Sequence, residues 1–294
     1  MLGGAQLFVG AAAIFARYAL SGAGPLAVSD LRLGIAALVV LAVFFARGGP
    51  GRASLGTSRE AALAVAGAAL AAHFAGWIAS LEYTSVAIAT LLVCTSPIFT
   101  GIADAFTQRR WPSRSFALAL LCGAAGLGLV VDARGAAAPI GGHAVLGAFL
   151  AVLGGAAMAV YLMLVRTARS DVGIGTLAVI ARTYTWAAIV LVPLTLAAHE
   201  PPPSFGATTA WAGILAMALV SQLVGHTAFA ASLRWFTATT VGFSTLLEPV
   251  VAAVLAAMLF HEALGGRTLI GAVLLFAAIA LAIRDQATAT DTEL

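Results

Sequence analysis

Residues 79–98 read ASLEYTSVAIATLLVCTSPI, and residues 231–250 read ASLRWFTATTVGFSTLLEPV. Both stretches begin with Ala-Ser-Leu, carry an aromatic residue two positions later, and place a proline, Pro97 or Pro249, inside a long apolar run. The offset of 152 residues is close to half of the 294-residue chain. The repeat predicts a protein built from two related halves. The alternative is chance similarity between two alanine-rich stretches.

The composition around this repeat is far too apolar for a soluble protein. The chain is 62% hydrophobic and 9% charged, with a mean hydropathy of +1.03. Soluble domains carry about a quarter charged residues, and a soluble core cannot hide this much apolar surface from water. The composition therefore predicts an integral membrane protein.

Apolar segments recur along the whole chain, separated by short breaks that carry turn residues such as Gly and Pro. A membrane-spanning helix needs about 20 apolar residues, and β-barrel strands would alternate polar and apolar positions over about ten. We therefore predict an all-α integral membrane fold with ten transmembrane helices. The segments are 3–20, 25–46, 60–81, 86–107, 114–132, 143–165, 174–198, 209–230, 236–259 and 267–284.

The repeat and the helix count together predict an inverted architecture. Five helices per half is an odd number, so the second half must enter the membrane with the opposite polarity, as in many secondary transporters. We expect two inverted five-helix repeats at 1–135 and 140–285, followed by a polar cytoplasmic tail at 286–294.

The basic residues predict the orientation, because positive charges collect in cytoplasmic loops. All 15 basic residues are arginines. With the N-terminus inside, ten of them lie on the cytoplasmic side, whereas the outer loops hold only Arg134 and Arg267. We expect a multi-pass protein with both termini cytoplasmic. The alanine-rich, lysine-free composition suggests a high-GC bacterium, and hence its cytoplasmic (inner) membrane.

Several motifs resemble those of the drug/metabolite transporter superfamily, specifically its EamA-type permeases. The motifs cover essentially the whole chain, but Arg109-Arg110-Trp111 stands where the first half of the family typically has a glutamate. The resemblance implies transport by alternating access and suggests export of small amphipathic solutes, with amino acids as the leading guess. The motifs are AVSDLR at 27–32, LEYTSVA at 81–87 with SPIF at 96–99, LRW at 233–235 with LEPV at 247–250, and HEAL at 261–264 with Gly271.

Polar and ionisable groups within membrane spans are costly, so each is a candidate for function. Glu248 could bind a substrate amine or carry a proton, or it could simply form a structural hydrogen bond. His73 and His226 lie on polar helix stripes and could bind substrate, relay protons, or hydrogen-bond a neighbouring helix. The candidate substrate-binding residues are His73, Trp77, Ser96, Pro97, Tyr161, Gln222, His226, Phe243, Glu248 and Pro249.

Matching mid-helix prolines point to a binding site near the membrane midplane, although packing kinks are the alternative. Arg17, Asp30 and Arg32 are expected to pair with one another near the outer surface and brace the fold. The alternative is that Arg17 or Arg182 attracts a substrate carboxylate. Asp104 is expected to be an interfacial charge near Arg109 and Arg110.

Other functional classes find little support in the sequence. No Gly-x-Ser-x-Gly elbow, zinc-protease motif or phosphate-binding loop is present, so we expect no enzyme activity, cofactor or metal. The expected partners are a small-molecule substrate, such as an amino acid or similar metabolite, and the lipid bilayer, with proton coupling as an option. Nucleic-acid binding is not expected. The alternatives are an exchanger or exporter of another metabolite or drug class, and a channel.

Overall fold

A computed structural model describes residues 2–49, 56–84, 86–108, 112–132, 143–170, 174–260 and 265–291. All regular structure in these ranges is helical, so the all-α fold is confirmed. The α-helices are α1 (Leu2–Gly10), α2 (Ala12–Ala19), α3 (Pro25–Ala46), α4 (Thr57–Tyr83), α5 (Val86–Val93), α6 (Ser96–Gln108), α7 (Arg114–Asp132), α8 (Ala144–Ser170), α9 (Thr176–Ala197), α10 (Thr208–Ala216), α11 (Thr227–Ser232), α12 (Ala238–Ser244), α13 (Glu248–Phe260) and α14 (Gly266–Asp291). A π-helix at Met217–His226 joins α10 to α11, and a 3-10 turn at Thr245–Leu247 joins α12 to α13.

Seven helical stretches of the described chain are long and apolar enough to cross a membrane, against the ten expected. Three further apolar helical stretches are shorter: Ile88–Asp104, Arg114–Leu129 and Ala238–Ala252. The seven are Leu2–Ala19, Pro25–Ala46, Thr57–Tyr83, Val145–Arg169, Thr176–Ala197, Thr208–Ser232 and Gly266–Asp285.

Two helices are interrupted at equivalent positions of the repeat. In the first half, α5 ends at Val93 and α6 begins at Ser96, one residue before Pro97. In the second half, the 3-10 turn ends at Leu247, and Pro249 is the second residue of α13. A proline fits the first turn of a helix because the amide hydrogen it lacks would have no partner there. Each proline therefore starts a new helix after a break instead of kinking a continuous one.

The break in the second half leaves the carbonyl of Thr245 without the hydrogen bond that it would accept in a continuous helix. Pro249 cannot donate to the carbonyl of Thr245, four residues earlier. The thiol of Cys94, in the equivalent break of the first half, donates to this carbonyl at 3.5 Å. The two interrupted segments therefore contact each other.

The halves pack through helices that approach closely. The longest helix of the first half, α4, packs along α8 and α9, while α3 packs on α9 and α7 on α14. A Cβ atom added at Gly76 would lie 2.7 Å from the carbonyl oxygen of Leu150, which is too close for any real side chain. Small residues allow this kind of backbone approach between membrane helices.

Glu200 caps the start of α3 from the other half of the chain. The backbone N–H of Ala27 donates to Oε2 of Glu200 at 2.9 Å. A carboxylate at a helix N-terminus satisfies a free amide and is favoured by the helix dipole. This contact fixes the end of α3 and hence the side chains that α3 presents to the interior.

Candidate functional site

A cavity lies between the two halves of the chain, and both contribute to its wall. Its walls come from α1 to α6, α8, the π-helix, the 3-10 turn and α13. The space open to water-sized molecules is about 20 Å³, enough for roughly one water. The lining residues are Val9, Ala12, Arg32, His73, Phe74, Trp77, Val93, Cys94, Ser96, Met158, His226, Thr245 and Glu248.

Half of the candidate residues from the sequence lie in this wall and half lie behind it. The five in the wall are His73, Trp77, Ser96, His226 and Glu248. The other five, Pro97, Tyr161, Gln222, Phe243 and Pro249, are all buried but do not line the cavity.

The residues behind the wall make packing and hydrogen-bond contacts. The ring of Phe243 packs edge-on against Phe116, with 5.8 Å between centroids. Tyr161 on α8 is fully buried. Gln222 reaches the cavity indirectly, because its Oε1 accepts a hydrogen bond from Nε of Arg32 at 3.1 Å.

Arg32 lies in the wall of the cavity, and the expectation that it braces the outer surface with Arg17 and Asp30 is wrong. Its side chain is 0% exposed and it hydrogen-bonds Gln222. The reason is helical geometry: residues two apart, such as 30 and 32, face different directions. Arg32 shares its face with the buried Ser29 and points inward.

The guanidinium of Arg32 is held in a fixed position. Its carbon Cζ lies 3.8 Å from the centroid of the Phe74 ring, a distance at which the ring face attracts a cation. The hydrogen bond from Nε to Gln222 fixes the rotation of the group. Nη1 and Nη2 are buried and have no hydrogen-bond partner in the described structure.

Glu248 faces the same cavity as the first residue of α13. The residue is half-buried, and within the described ranges no side chain or backbone group donates a hydrogen bond to its carboxylate. It lines this cavity together with Arg32. The alternative interpretation of Glu248, a structural hydrogen bond to a neighbouring helix, therefore finds no partner among the residues described.

The two histidines lie side by side, with ring centroids 6.2 Å apart. Nδ1 of His73 is 2.9 Å from the carbonyl oxygen of Gly154, and since a carbonyl only accepts, Nδ1 must carry the hydrogen. His73 is thus a helix–helix hydrogen-bond partner that also lines the cavity. Nδ1 of His226, in contrast, is buried without a partner in the described structure.

Two further wall residues have buried polar atoms with no partner among the described residues, namely Nε1 of Trp77 and Oγ of Ser96. The wall therefore combines several hydrogen-bond donors with one carboxylate. No group of three or more His, Cys, Asp or Glu side chains in the described ranges could hold a metal ion.

Two other charges of the spans, Arg182 and Asp104, do not line the cavity. Arg182 pairs with Glu60 at 2.8 Å, joining α9 to α4. Asp104 accepts a hydrogen bond of 2.7 Å from Thr239. Arg109 and Arg110, its expected neighbours, lie outside the described residues.

The sequence did not identify several residues of the wall as binding residues. For Arg32 the usable signal is its position three residues after Ser29, which places both residues on one face of the helix. A single thiol in an apolar segment, such as Cys94, is more often a small packing residue than part of a site, so its type gives no signal. The apolar members carry no signal that separates a cavity wall from a core; they are Val9, Ala12, Phe74, Val93 and Met158.

Comparisons with known proteins agree with this architecture. The model of a family described as the EamA-like transporter family matches residues 1–132 and 145–284, once in each half. No curated protein gives a significant match. A solved structure titled only "Crystal structure of protein" aligns with a TM-score of 0.77 at 18% identity, covering 96% of this chain and 94% of that one. At that identity the likeness shows the fold alone.

Proposed function

The chain belongs to the EamA-like transporter family. From that premise we propose that it is a secondary active transporter that exports small organic metabolites, with amino acids as the proposed substrates. The family makes it a membrane transporter of the drug/metabolite type. The substrate class and the mechanism are the proposal. The observation that carries it is the cavity between the halves, whose wall contains the carboxylate of Glu248. No group in the described ranges donates a hydrogen bond to this carboxylate.

Alternating access accounts for the size of the cavity. About 20 Å³ of water-accessible space admits no amino acid, so the halves must separate to admit one. The interrupted helices before Pro97 and Pro249 lie at the contact between the halves, where transporters built from inverted repeats bind substrate. We propose that these breaks let the wall change shape during transport.

The proposed domains follow the repeat: 1–135 and 140–285, each with five spans, and a cytoplasmic tail at 286–294. The seven long and three shorter apolar helices support the count of ten. The arginine distribution supports cytoplasmic termini in a bacterial cytoplasmic membrane.

The proposed site consists of His73, Trp77, Ser96, His226 and Glu248. Glu248 binds the substrate amine or, in a coupled cycle, a proton. The indole of Trp77 and the ring of Phe74 provide an apolar surface for the substrate side chain. Among the candidates behind the wall, Gln222 orients Arg32, Tyr161 and Phe243 support the packing, and the two prolines shape the breaks.

Counterflow in liposomes tests this proposal. Purified protein is reconstituted with an unlabelled amino acid inside, and uptake of the labelled form is followed for a panel that includes L-phenylalanine and L-leucine. We expect saturable exchange for at least one amino acid. Glu248→Gln should reduce exchange about tenfold or more, because a charge-assisted contact is lost. The matched control is Glu82→Gln, which changes an exposed glutamate on α4 outside the cavity and should exchange like the wild type.

Folded protein that exchanges no amino acid would contradict the assignment of amino acids as substrates. Unchanged exchange in Glu248→Gln would remove Glu248 from the site while leaving the transport function in place.

A further inference from the structure

The cavity contains a buried positive charge that the proposed function does not yet use. Arg32 is fully buried, and its Nη1 and Nη2 atoms have no partner in the described structure. An arginine inside a membrane-spanning protein is costly unless its charge is compensated. The ring of Phe74 and the amide of Gln222 compensate it only in part.

The contacts of Arg32 leave one edge of the guanidinium available. Nε is occupied by Gln222, and the ring of Phe74 covers one face. The remaining edge carries Nη1 and Nη2, which can form two parallel hydrogen bonds to a carboxylate. Because Arg32 lines the cavity, a ligand inside it can reach this edge.

Glu248 provides the complementary charge in the same cavity. Both residues line the cavity, yet neither Nη atom of Arg32 has a hydrogen-bond partner in the described structure, Glu248 included. A molecule carrying both a carboxylate and an amine would give each of them a partner at once. Opposite charges that line one cavity without pairing with each other suit a zwitterion, because each end of the ligand meets a charge of the opposite sign.

We propose that Arg32 binds the carboxylate of the substrate while Glu248 binds its amine, so that the cavity selects α-amino acids over amines and over acids that lack an amine. Ser96 and His226 lie in the same wall with unpartnered polar atoms and supply further hydrogen bonds to the ligand. This inference rests on the proposed function and adds a carboxylate subsite to it.

The test compares substrate analogues that differ by one charged group. Counterflow of labelled L-phenylalanine is inhibited with unlabelled L-phenylalanine, its carboxamide, phenethylamine or 3-phenyllactate. In the wild type we expect each analogue to inhibit at least about tenfold less well than the amino acid, since each loses a charge-assisted contact. Arg32→Gln should lose the preference for the acid over the carboxamide, and Arg32→Lys should retain part of it. Arg17→Gln, an exposed arginine on α2, is the control and should match the wild type.

Thermal unfolding in detergent provides a reading that does not require transport and that shows whether each variant folds. L-Phenylalanine should raise the Tm of the wild type and of Arg17→Gln, but not that of Arg32→Gln. If Arg32→Gln does not fold, Arg32→Lys takes its place. A weaker preference for the acid over the carboxamide than in the wild type then supports the subsite, and an unchanged preference overturns it.

The outcomes separate the inference from the function on which it rests. Amino-acid exchange with equal inhibition by acid and carboxamide, or a folded Arg32→Gln that keeps the wild-type preference, overturns the carboxylate subsite and leaves the transporter. If no amino acid is exchanged, the substrate proposal fails. The subsite then stands only if 3-phenyllactate or another carboxylate stabilises the wild type more than the Arg32 variants, and is overturned if none does.

Discussion

At the scale of single residues, the position of Arg32 depends on Gln222. The hydrogen bond of 3.1 Å from Nε to Oε1 joins α3 to the π-helix, and the hydroxyl of Tyr184 donates at 3.3 Å to the backbone carbonyl of the same glutamine. Gln222 is therefore fixed from two sides, and it fixes Arg32 in turn. It acts as a positioning residue for the charge in the cavity.

Gln222→Leu should weaken substrate binding without removing the charge. Because the guanidinium loses the acceptor that orients it, we expect KM for counterflow to rise about tenfold, with a smaller change in the maximal rate. The control is Gln6→Leu, which removes another buried cross-helix hydrogen bond, 2.7 Å to Ser244, between two residues that do not line the cavity. That variant should lower Tm and leave KM unchanged, and an equal rise in KM in both variants would contradict the positioning role.

The sequence identifies some of these residues more readily than others. A carboxylate in the middle of an apolar span, Glu248, is conspicuous because it is costly there. Arg32 is equally costly, but its position lies near the start of its span, so it can be interpreted as an interfacial charge. Its partners decide its role, and Gln222 lies 190 positions away, a pairing that no local pattern encodes.

At the scale of helices, the packing of α4 on α8 positions one side of the cavity. Gly76 lies against the backbone of Leu150 and Gly154. His73, on the same face, is held by the carbonyl of Gly154. The lack of a side chain at position 76 therefore brings the two helices close enough for this hydrogen bond.

Gly76→Ala should destabilise the protein by about 1–3 kcal/mol, because the added Cβ overlaps a backbone that cannot easily move. The control is Gly34→Ala on α3, where an added Cβ meets nothing within 4 Å. That change should be neutral or stabilising by up to about 1 kcal/mol through helix propensity. Both are measured as Tm in detergent, and equal Tm values for the two variants would show that the close approach is not needed.

Hydropathy was sufficient to locate the helices but not their internal form. The segment 209–230 corresponds to a helical stretch at Thr208–Ser232, in which the polar residues Gln222 and His226 are buried. The change to π-helix at Met217–His226 was not predicted. It depends on which carbonyl each amide pairs with, and hydrophobic periodicity does not report this choice.

At the scale of the whole molecule, the repeat gave the most information. The offset of 152 residues matched Pro97 with Pro249, and the structure shows interruptions at both places. Which helices of one half pack against the other could not be predicted, because every span is apolar on several faces. The packing of α3 and α4 against α8 and α9 decides where the halves meet, and hence where the cavity lies.

The contact between the two halves also explains why the wall can contain polar and charged residues. A membrane protein can place charged groups only where other protein groups or water surround them. The contact between the halves is such a place, and both Arg32 and Glu248 lie in it. We therefore expect the same cavity to open toward each side of the membrane in turn.

Labelling of Cys94 tests whether the cavity opens to both sides of the membrane. Cys94 lines the cavity, and Cys122→Ala leaves it as the single cysteine of the chain. A membrane-impermeant thiol reagent is applied to right-side-out and to inside-out vesicles, with and without saturating L-phenylalanine. The variant lacking both cysteines gives the background. Alternating access predicts that Cys94 reacts from both sides, and that the amino acid slows both reactions. Reaction from one side only, or reaction rates that the amino acid does not change, would contradict the account.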